Sequence, residues 1–274
     1  MPSELALLPI NESLYRITAC SNARAAGIWQ LMPATAKAYG ITINYWYDGR
    51  FNIIQSTTAA LHNLQDLNRE FHGDWLLVIA AYNGGSGRVE KAITYNRRHH
   101  LPTDFWDLKL PQETKTYVIE MLAIVHIIRE HNYYGLQDVA NNPYFKIINN
   151  NQYLTLNEIA KYTGQNSEVI YKLNSYFIRA YTQPKYWNKL LLPINSYSLP
   201  YIKSSFLTKF IHHKLIISQA CYNHKNNTKY KIYIVRKGDN LSKIAMKYHT
   251  NINHIIRVNH LKNNIIYIKQ RLKI

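Results

Sequence analysis

Five residues in the C-terminal half of the chain recur at one constant spacing. Each pair is 85 positions apart: Leu156, Ile159, Ala160, Ile170 and Asn174 return as Leu241, Ile244, Ala245, Ile255 and Asn259. Such a match over one module length indicates a duplicated unit with a spacer between its copies. The second copy lies between two apolar, β-branched segments that favour strands, Tyr230–Val235 and Ile265–Ile268. The repeat therefore predicts a small strand–helix–helix–strand (βααβ) unit of about 45 residues, present twice.

The first 135 residues have a helical periodicity instead. Apolar residues of Ser56–Leu67 share one helical stripe, and Asp74 precedes the apolar stretch Trp75–Ala81 as an N-cap would. A further helix is expected to open at Pro111. Several short helices joined by polar turns predict a compact all-α domain.

An Asn-rich stretch at 141–151 follows the helical pattern and indicates a domain boundary. We therefore expect an α+β protein with a mostly helical domain at 1–135 and a βααβ module at 231–274. Between them, 136–230 is expected to be a linker that holds the first copy of the repeat at about 152–195.

Positive charge dominates the composition, with 33 Lys and Arg against 16 Asp and Glu and a formal net charge of +17. Such a charge predicts attraction to a polyanion, whether nucleic acid, an anionic membrane surface or an acidic cell-wall polymer. The alternative is a compositional bias, because Lys, Asn, Ile and Tyr are all abundant. No basic helix or aromatic–basic platform is evident, so we expect no nucleic-acid partner.

The two cysteines offer no obvious chemistry. Cys20 and Cys221 lie far apart, and their spacing suits neither a metal site nor a disulfide framework. No stretch reaches the roughly 18 apolar residues of a membrane-spanning helix. We expect no metal and no cofactor.

A single glutamate closes an apolar run near the start of the chain, Leu5–Ser13. If that run is buried, desolvation disfavours the charged form of Glu12 and raises its pKa, which suits a general acid. The alternative is a helix-end glutamate that only solvates the backbone around it.

Three further segments join apolar helix to polar groups: Gly27–Pro33, Ala80–Gly85 and Glu113–Val118. Each alone is weak evidence, because a tryptophan such as Trp29 is more often core than binding surface. A polar pair such as Tyr82-Asn83 at a helix end is usually a turn. The order and spacing of the segments together are far more specific. They favour Glu12 as a general acid over Glu12 as a helix-end residue that only solvates the backbone.

In that order and spacing, the segments resemble the lytic murein transglycosylases with a lysozyme-like catalytic domain, most closely the membrane-bound type D with C-terminal LysM modules. The resemblance covers residues 2–135 and the last 45 residues, and is weak from 140 to 228. It implies that Glu12 is the catalytic acid and that Tyr117 orients it. The side chains implied to hold the sugars are Ser13, Ser21, Gly27, Trp29, Gln30, Met32, Tyr82 and Asn83.

Two departures from the family pattern lie beside the acid. Arg16-Ile17 stands where the family commonly has Asp-Pro, and Asn22 stands where it has Gly after the orienting serine. These changes alter the loop beneath the acid more than the acid itself. They leave a catalytically inactive peptidoglycan-binding scaffold as the alternative function.

The chemistry of a lone carboxylate fits the resemblance. Ordinary glycoside hydrolysis uses two carboxylates at a set separation. No convincing partner for Glu12 is evident, since the nearby acids are expected to be solvated or to cap helices: Asp48, Asp66, Glu70 and Asp74. A single acid suffices if the muramic acid C6 hydroxyl attacks C1 of its own sugar and leaves a 1,6-anhydro end.

The second copy of the repeat resembles a LysM module, which binds N-acetylglucosamine-containing glycans through loops around its first helix. The implied groove residues are Gly238, Asp239, Asn240, Leu241 and Ser242, with Ile266 or its neighbours opposite. The alternative is that they only cap the helix and pack the core. The first copy lacks the Gly-Asp turn, so we expect it to be a degenerate LysM with a structural role.

The expected partner is therefore the peptidoglycan glycan strand, in the bacterial periplasm or cell envelope. Members of the family normally carry a signal peptide, and often a lipid anchor, ahead of this domain. No export signal is visible in this chain, so the resemblance implies outer-membrane association through an N-terminal anchor that is missing here.

Overall fold

The computed structural model describes residues 1–137, 141–196, 232–236, 238–248, 255–256, 259, 261, 265–267 and 270–273. The chain divides into two compact units, Met1–Cys221 and Tyr222–Ile274. Three expected features lie outside the described residues: Cys221, the linker at 197–230 and the outer ends of both strands expected in the second unit.

The first part of the larger unit is helical, as expected. Its helices are α1 Leu8–Ser13, α2 Pro33–Ala38, α3 Ile53–Glu70, α4 Trp75–Gly84, α5 Ser86–Arg98 and α6 Gln112–Arg129. Turns of 3₁₀-helix at Ser3–Leu7 and Gly49–Phe51 precede α1 and α3. None of the helices within the described residues is long and apolar enough to cross a membrane.

Side-chain caps start the two helices at the centre of this part. Asn52 accepts from the backbone N–H groups of the first turn of α3, and Asp74 does the same for α4. The predicted N-cap at Asp74 is thus confirmed. The stretch Leu77–Ala81 of α4 is buried at every position, so α4 is the central core helix, with the others packed around it.

The first copy of the repeat has the expected βααβ order. It consists of β1 Phe145–Asn149, α7 Leu156–Thr163, α8 Ser167–Leu173 and β2 Lys189–Pro193. The strands pair antiparallel, from Phe145 opposite Pro193 to Asn149 opposite Lys189. The domain boundaries drawn from the sequence stay a prediction.

The repeated asparagine has a structural reason. The Asn174 amide donates to the carbonyls of Ile170 and Leu191 and accepts from the Leu191 N–H, which ties the end of α8 to β2. Asn259 donates to the carbonyl of Ile255 in the same way. The side chain therefore closes the helical turn that begins at the repeated isoleucine.

The βααβ copy packs against the helical part through an extended segment just before α3. Asp48 N–H donates to the Tyr176 carbonyl and Ile178 N–H donates to the Trp46 carbonyl, each at 3.0 Å. Between these bonds the Tyr47 ring is fully buried, 5.9 Å from the ring of Phe177. The sequence did not predict this contact, because it joins positions about 130 residues apart.

The smaller unit contains β3 Ile232–Ile234, α9 Leu241–Lys247 and β4 Arg271–Lys273. The two strands pair antiparallel. The final strand was expected at Ile265–Ile268. This placement is wrong for Ile265, Ile266 and Tyr267, which are not part of a strand, while Ile268 lies outside the described residues. The strand that completes the sheet is β4, which begins at Arg271.

Cys20 is disulfide-bonded. The spacing of the two cysteines indicated no disulfide framework, and for Cys20 this prediction is wrong, because disulfide formation depends on the distance and direction of the Cβ atoms rather than on sequence separation. Cys221 lies outside the described residues.

Candidate active site

Glu12 lies in the last turn of α1, where a short helix ends sharply. Leu5 and Leu8 of the apolar run are buried, as expected. Leu14 and Tyr15 both take left-handed backbone conformations, with φ of 52° and 55°, so the helix stops directly after Ser13. Glu12 is thereby carried on a buried helix and remains partly exposed.

The carboxyl of Glu12 is bound on one oxygen only. The Tyr117 hydroxyl donates to Oε1 of Glu12 at 2.5 Å, and no other described residue hydrogen-bonds to the carboxyl. Asn11 donates to the Tyr117 carbonyl at 3.1 Å, which fixes α1 against α6. Oε2 is therefore the oxygen left for a substrate.

Burial raises the pKa of Glu12 to about 7, against a downward contribution from the Tyr117 hydrogen bond. The cause is desolvation, which disfavours the carboxylate. At neutral pH a large share of Glu12 molecules therefore carry a proton, as a general acid requires.

Two tyrosines next to Glu12 stay neutral. Burial raises the pKa of Tyr82 and of Tyr117 well above the ordinary value, and the charge of Glu12 raises both further. The Tyr82 hydroxyl donates to the Trp29 carbonyl at 2.9 Å. Both phenols thus act as hydrogen-bond donors that hold the acid and the neighbouring loop in place.

The Gly27–Pro33 loop is bound to the helix that carries the acid. Buried Ser13 donates through Oγ to the Ile28 carbonyl at 2.9 Å. The Trp29 side chain is buried and donates to Thr57 Oγ1 at 2.8 Å. Ser13 and Trp29 were expected to contact sugar, but both side chains are already used within the protein, which favours a positioning role.

Other expected sugar ligands are more open. Met32 is 44% exposed, and the half-buried amide of Asn83 makes no hydrogen bond to any described residue. Gln30 is half-buried, and its side-chain amide makes one hydrogen bond, donated to the Gly27 carbonyl at 2.8 Å. Ser21 is half-buried, and its hydroxyl accepts from Ala25 N–H at 3.0 Å. The structure thus leaves Met32, Asn83 and part of Gln30 able to meet a ligand.

Arg50 supports this loop from behind and was missed by the sequence analysis. Its guanidinium is buried and pairs with buried Asp48 at 2.7 Å. It also donates to the carbonyls of Arg24 and Leu31, at 2.5 and 3.3 Å. Asp48 was expected to be solvated or to cap a helix; it caps the 3₁₀ turn, but it is not solvated.

The close contact between the Gly27–Pro33 loop and the Arg50 backbone requires a glycine at position 27. Its φ is +78°, and a Cβ atom added there would lie 2.0 Å from the carbonyl oxygen of Arg50. Only glycine allows so close an approach between two backbones. Gly27 is therefore a packing residue of the loop.

The other acids expected to be bystanders have partners or other roles. Asp66 pairs with Arg69 and accepts from the Tyr39 hydroxyl, and Asp74 caps α4. Glu70 is exposed. Across the described ranges, no three His, Cys, Asp or Glu side chains cluster as metal ligands do. No carboxylate of the described residues is among the groups that shift the pKa of Glu12.

The expected LysM residues have mixed roles. Leu241 is a core residue, and Asn240 caps α9 by accepting from Lys243 N–H at 2.8 Å. Asp239 accepts from the Tyr233 hydroxyl and the Arg236 N–H. Gly238 and Ser242 are exposed. The capping and packing alternative therefore fits Leu241, Asn240 and Asp239, and contact with glycan stays a prediction for all five.

Comparison with known families agrees with this arrangement. Residues 1–101 match the family described as the transglycosylase SLT domain, and residues 233–274 match the LysM domain. These two stretches are thus similar to an SLT transglycosylase domain and to a LysM domain, and the helices and small sheets described above belong to the α+β class.

Curated relatives match about half of the chain. The chain is 53% identical over 137 residues to the membrane-bound lytic murein transglycosylase D of Escherichia coli strain K12. These 137 residues are 50% of this chain and 30% of that protein. The chain is also 44% identical over 130 residues to a protein of Alteromonas sp. named for tributyltin chloride resistance. These 130 residues are 47% of this chain and 62% of that protein. The chain thus matches less than two thirds of either relative.

Proposed function

We propose that this protein is a peptidoglycan lytic transglycosylase that cleaves the β-1,4 bond between N-acetylmuramic acid and N-acetylglucosamine without water. The observation that carries the proposal is Glu12: a partly exposed acid whose pKa is raised to about 7, with no carboxylate of the described residues among the groups that shift it. The SLT and LysM domains and the similarity to a named murein transglycosylase support it.

The proposed reaction uses Glu12 twice. The protonated carboxyl first gives its proton to the glycosidic oxygen as the bond from C1 to that oxygen breaks. The carboxylate then takes the proton of the muramic acid C6 hydroxyl, whose oxygen forms the new bond to C1. Glu12 ends protonated, as it began, and the products are a free 4-hydroxyl and a 1,6-anhydro end.

The described contacts suit these two steps. Tyr117 binds Oε1, so Oε2 can exchange the proton while the carboxyl keeps its orientation. The loop held by Ser13, Tyr82 and Arg50 presents Gln30 and Met32 beside the acid helix. Positioning of this kind removes an entropic part of the barrier.

The LysM domain supports binding to peptidoglycan glycan, which would tether the enzyme to its substrate. A location in the cell envelope is proposed from the name of the membrane-bound relative. Anchoring to the outer membrane and the absence of a nucleic-acid partner are parts of the same proposal.

Incubation of the purified protein with isolated sacculi tests the proposal against the inactive-scaffold alternative. A transglycosylase releases soluble muropeptides with 1,6-anhydro ends, detected by mass spectrometry. A scaffold sediments with the wall and releases nothing, and that outcome would refute the proposal.

The pH dependence should follow the raised pKa of Glu12. Because the protonated form starts the reaction, kcat/KM should fall as the pH rises through about 7. The Tyr117 hydrogen bond lowers this pKa, so Tyr117→Phe should move the falling limb to higher pH. The control is Tyr95→Phe, at an exposed tyrosine of α5. A limb that stays in place in Tyr117→Phe would contradict the assigned role of this hydrogen bond.

A further inference from the structure

Two exposed aromatic rings lie where the helical part meets the βααβ copy. Tyr45 is 58% exposed and Trp46 is 36% exposed, and their rings pack edge to face with centroids 5.2 Å apart. The guanidinium of Arg179, from the βααβ copy, lies 3.9 Å from the centre of the Tyr45 ring. The three side chains form one surface, which we term the junction platform.

The backbone beneath the junction platform is held firmly. Asn44 Oδ1 accepts from the N–H groups of Trp46 and Tyr47, at 2.8 and 2.9 Å. The Trp46 carbonyl accepts from Ile178 N–H, and the Tyr47 side chain is buried. A surface fixed in this way loses little conformational freedom when it binds a ligand.

Arg179 has a charge that the protein does not neutralise nearby. No acidic side chain among the described residues lies within salt-bridge distance of it, and its buried Nε has no hydrogen-bond partner there. A cation over an aromatic face is partly stabilised by the ring and keeps its outer N–H groups free. Guanidinium groups bind carboxylates in a planar, two-pronged manner.

We propose that the junction platform is a second contact surface for the peptidoglycan strand, separate from Glu12. A sugar ring lies with its C–H face on Trp46, and Arg179, held over the ring of Tyr45, binds a carboxylate of a peptide stem. This inference rests on the proposed function, because it takes peptidoglycan as the substrate. The strand is favoured over other ligands because it offers flat apolar sugar faces and carboxylates together, which complements exposed rings beside an unneutralised cation.

The sequence could not show the junction platform. Tyr45 and Trp46 precede α3, whereas Arg179 follows α8, and only the packing of the βααβ copy brings them together. The copy was expected to be structural, and its packing role is consistent with that. The junction platform adds a ligand surface at its edge.

The test measures binding without cleavage, by isothermal titration of soluble glycan strands that carry peptide stems, in a Glu12→Gln background of the whole chain. Trp46→Ala should weaken binding about tenfold, because truncation of a well-packed interfacial tryptophan has effects of this order. Trp46→Phe should recover most of the affinity because it keeps a ring. The matched control Trp106→Ala removes another exposed tryptophan and should stay within about twofold of the parent.

The charge arm uses two kinds of strand. Arg179→Glu should weaken binding to strands with peptide stems and have little effect on chito-oligosaccharide strands, which offer the same kind of sugar faces and carry no carboxylate. Arg88→Glu, at an exposed arginine of α5, makes the same charge change elsewhere and is the control. Equal effects of Arg179→Glu and Arg88→Glu would overturn the carboxylate contact.

The sugar contact is overturned if Trp46→Ala binds as tightly as Trp106→Ala, or if Trp46→Phe recovers nothing. None of these measurements requires turnover. A protein with intact Glu12 that releases no anhydro ends would refute the proposed function, whereas a loss of binding confined to Trp46 and Arg179 variants would still support the junction platform.

Discussion

Glu12→Gln should bind sacculi as the parent protein does and release no anhydromuropeptides. Glutamine keeps the shape of the side chain and can still accept from Tyr117, but its amide is too weak an acid to protonate the glycosidic oxygen and too weak a base to take the C6 hydroxyl proton. Loss of a positioned general acid alone costs about 10²–10⁴-fold in rate. Because Glu12 is assigned to both proton transfers, we expect Glu12→Gln to lose all detectable release of anhydromuropeptides rather than part of it.

The stability of this variant provides an internal check that the loss is chemical. The pKa of Glu12 is raised in the folded protein, so its stabilising contribution is present below the ordinary pKa of a glutamate and is lost as the pH rises through about 7. Glu12→Gln does not titrate, so it does not lose stability in this pH range. Thermal unfolding at pH 8 should therefore show the variant to be at least as stable as the parent, and at pH 5 the difference should shrink or reverse.

Retained release of anhydromuropeptides by a folded Glu12→Gln would remove Glu12 from the mechanism. A matched substitution at an exposed glutamate on α6, Glu120→Gln, should leave release unchanged. Quantification of the anhydro ends by mass spectrometry over a time course distinguishes slow turnover from none.

Gly27→Ala should have the second-largest effect, and it acts on structure. The added Cβ atom would lie 2.0 Å from the Arg50 carbonyl oxygen, which forces one of the two backbones to move. An alanine at φ of +78° is strained in addition. We expect a loss of about 2–4 kcal/mol in the free energy of unfolding, measured by urea denaturation.

Gly40→Ala separates the two causes. Gly40 has almost the same φ, +77°, and nothing lies within 4 Å of a Cβ atom added there. It should therefore show the strain alone, about 1 kcal/mol. In Gly27→Ala the moved loop also carries the carbonyls that bind Ser13 and Tyr82, so kcat should fall about 10²-fold, as small misplacements at an active site do. Equal effects of the two substitutions would contradict the close approach of Gly27 and Arg50.

The contact between Tyr117 and Glu12 and the helices that hold these two residues were predicted, while the role of Glu12 as the acid stays a prediction. Glu12 and Tyr117 are 105 positions apart, but each lies in a recognisable local pattern, and the fold confirms their contact. Local signals such as the cap at Asp74 were equally readable. The caps and helices depend on residue type and periodicity, which the chain displays directly, whereas the pairing of Tyr117 with Glu12 was implied by the family resemblance.

Other parts of the site depend on tertiary packing, and the sequence misplaced or missed them. Arg50 resembles any surface arginine until Asp48 and two distant carbonyls enclose it. Trp29 was expected near the sugars, whereas its ring is buried and its indole N–H binds Thr57. A periodic pattern shows which face of a helix is apolar, but it does not show which side chain a loop turns inward.

In the proposed mechanism the muramic acid C6 hydroxyl attacks C1 of its own sugar, and Glu12 is both the acid and the base. Digestion of sacculi in water enriched in ¹⁸O, followed by mass spectrometry of the released muropeptides, tests it most directly. We expect 1,6-anhydro ends, which are one water lighter than the hydrolysis product and carry no label from the solvent. Reducing ends that carry one ¹⁸O atom at C1 would show that water is the nucleophile, and would contradict it.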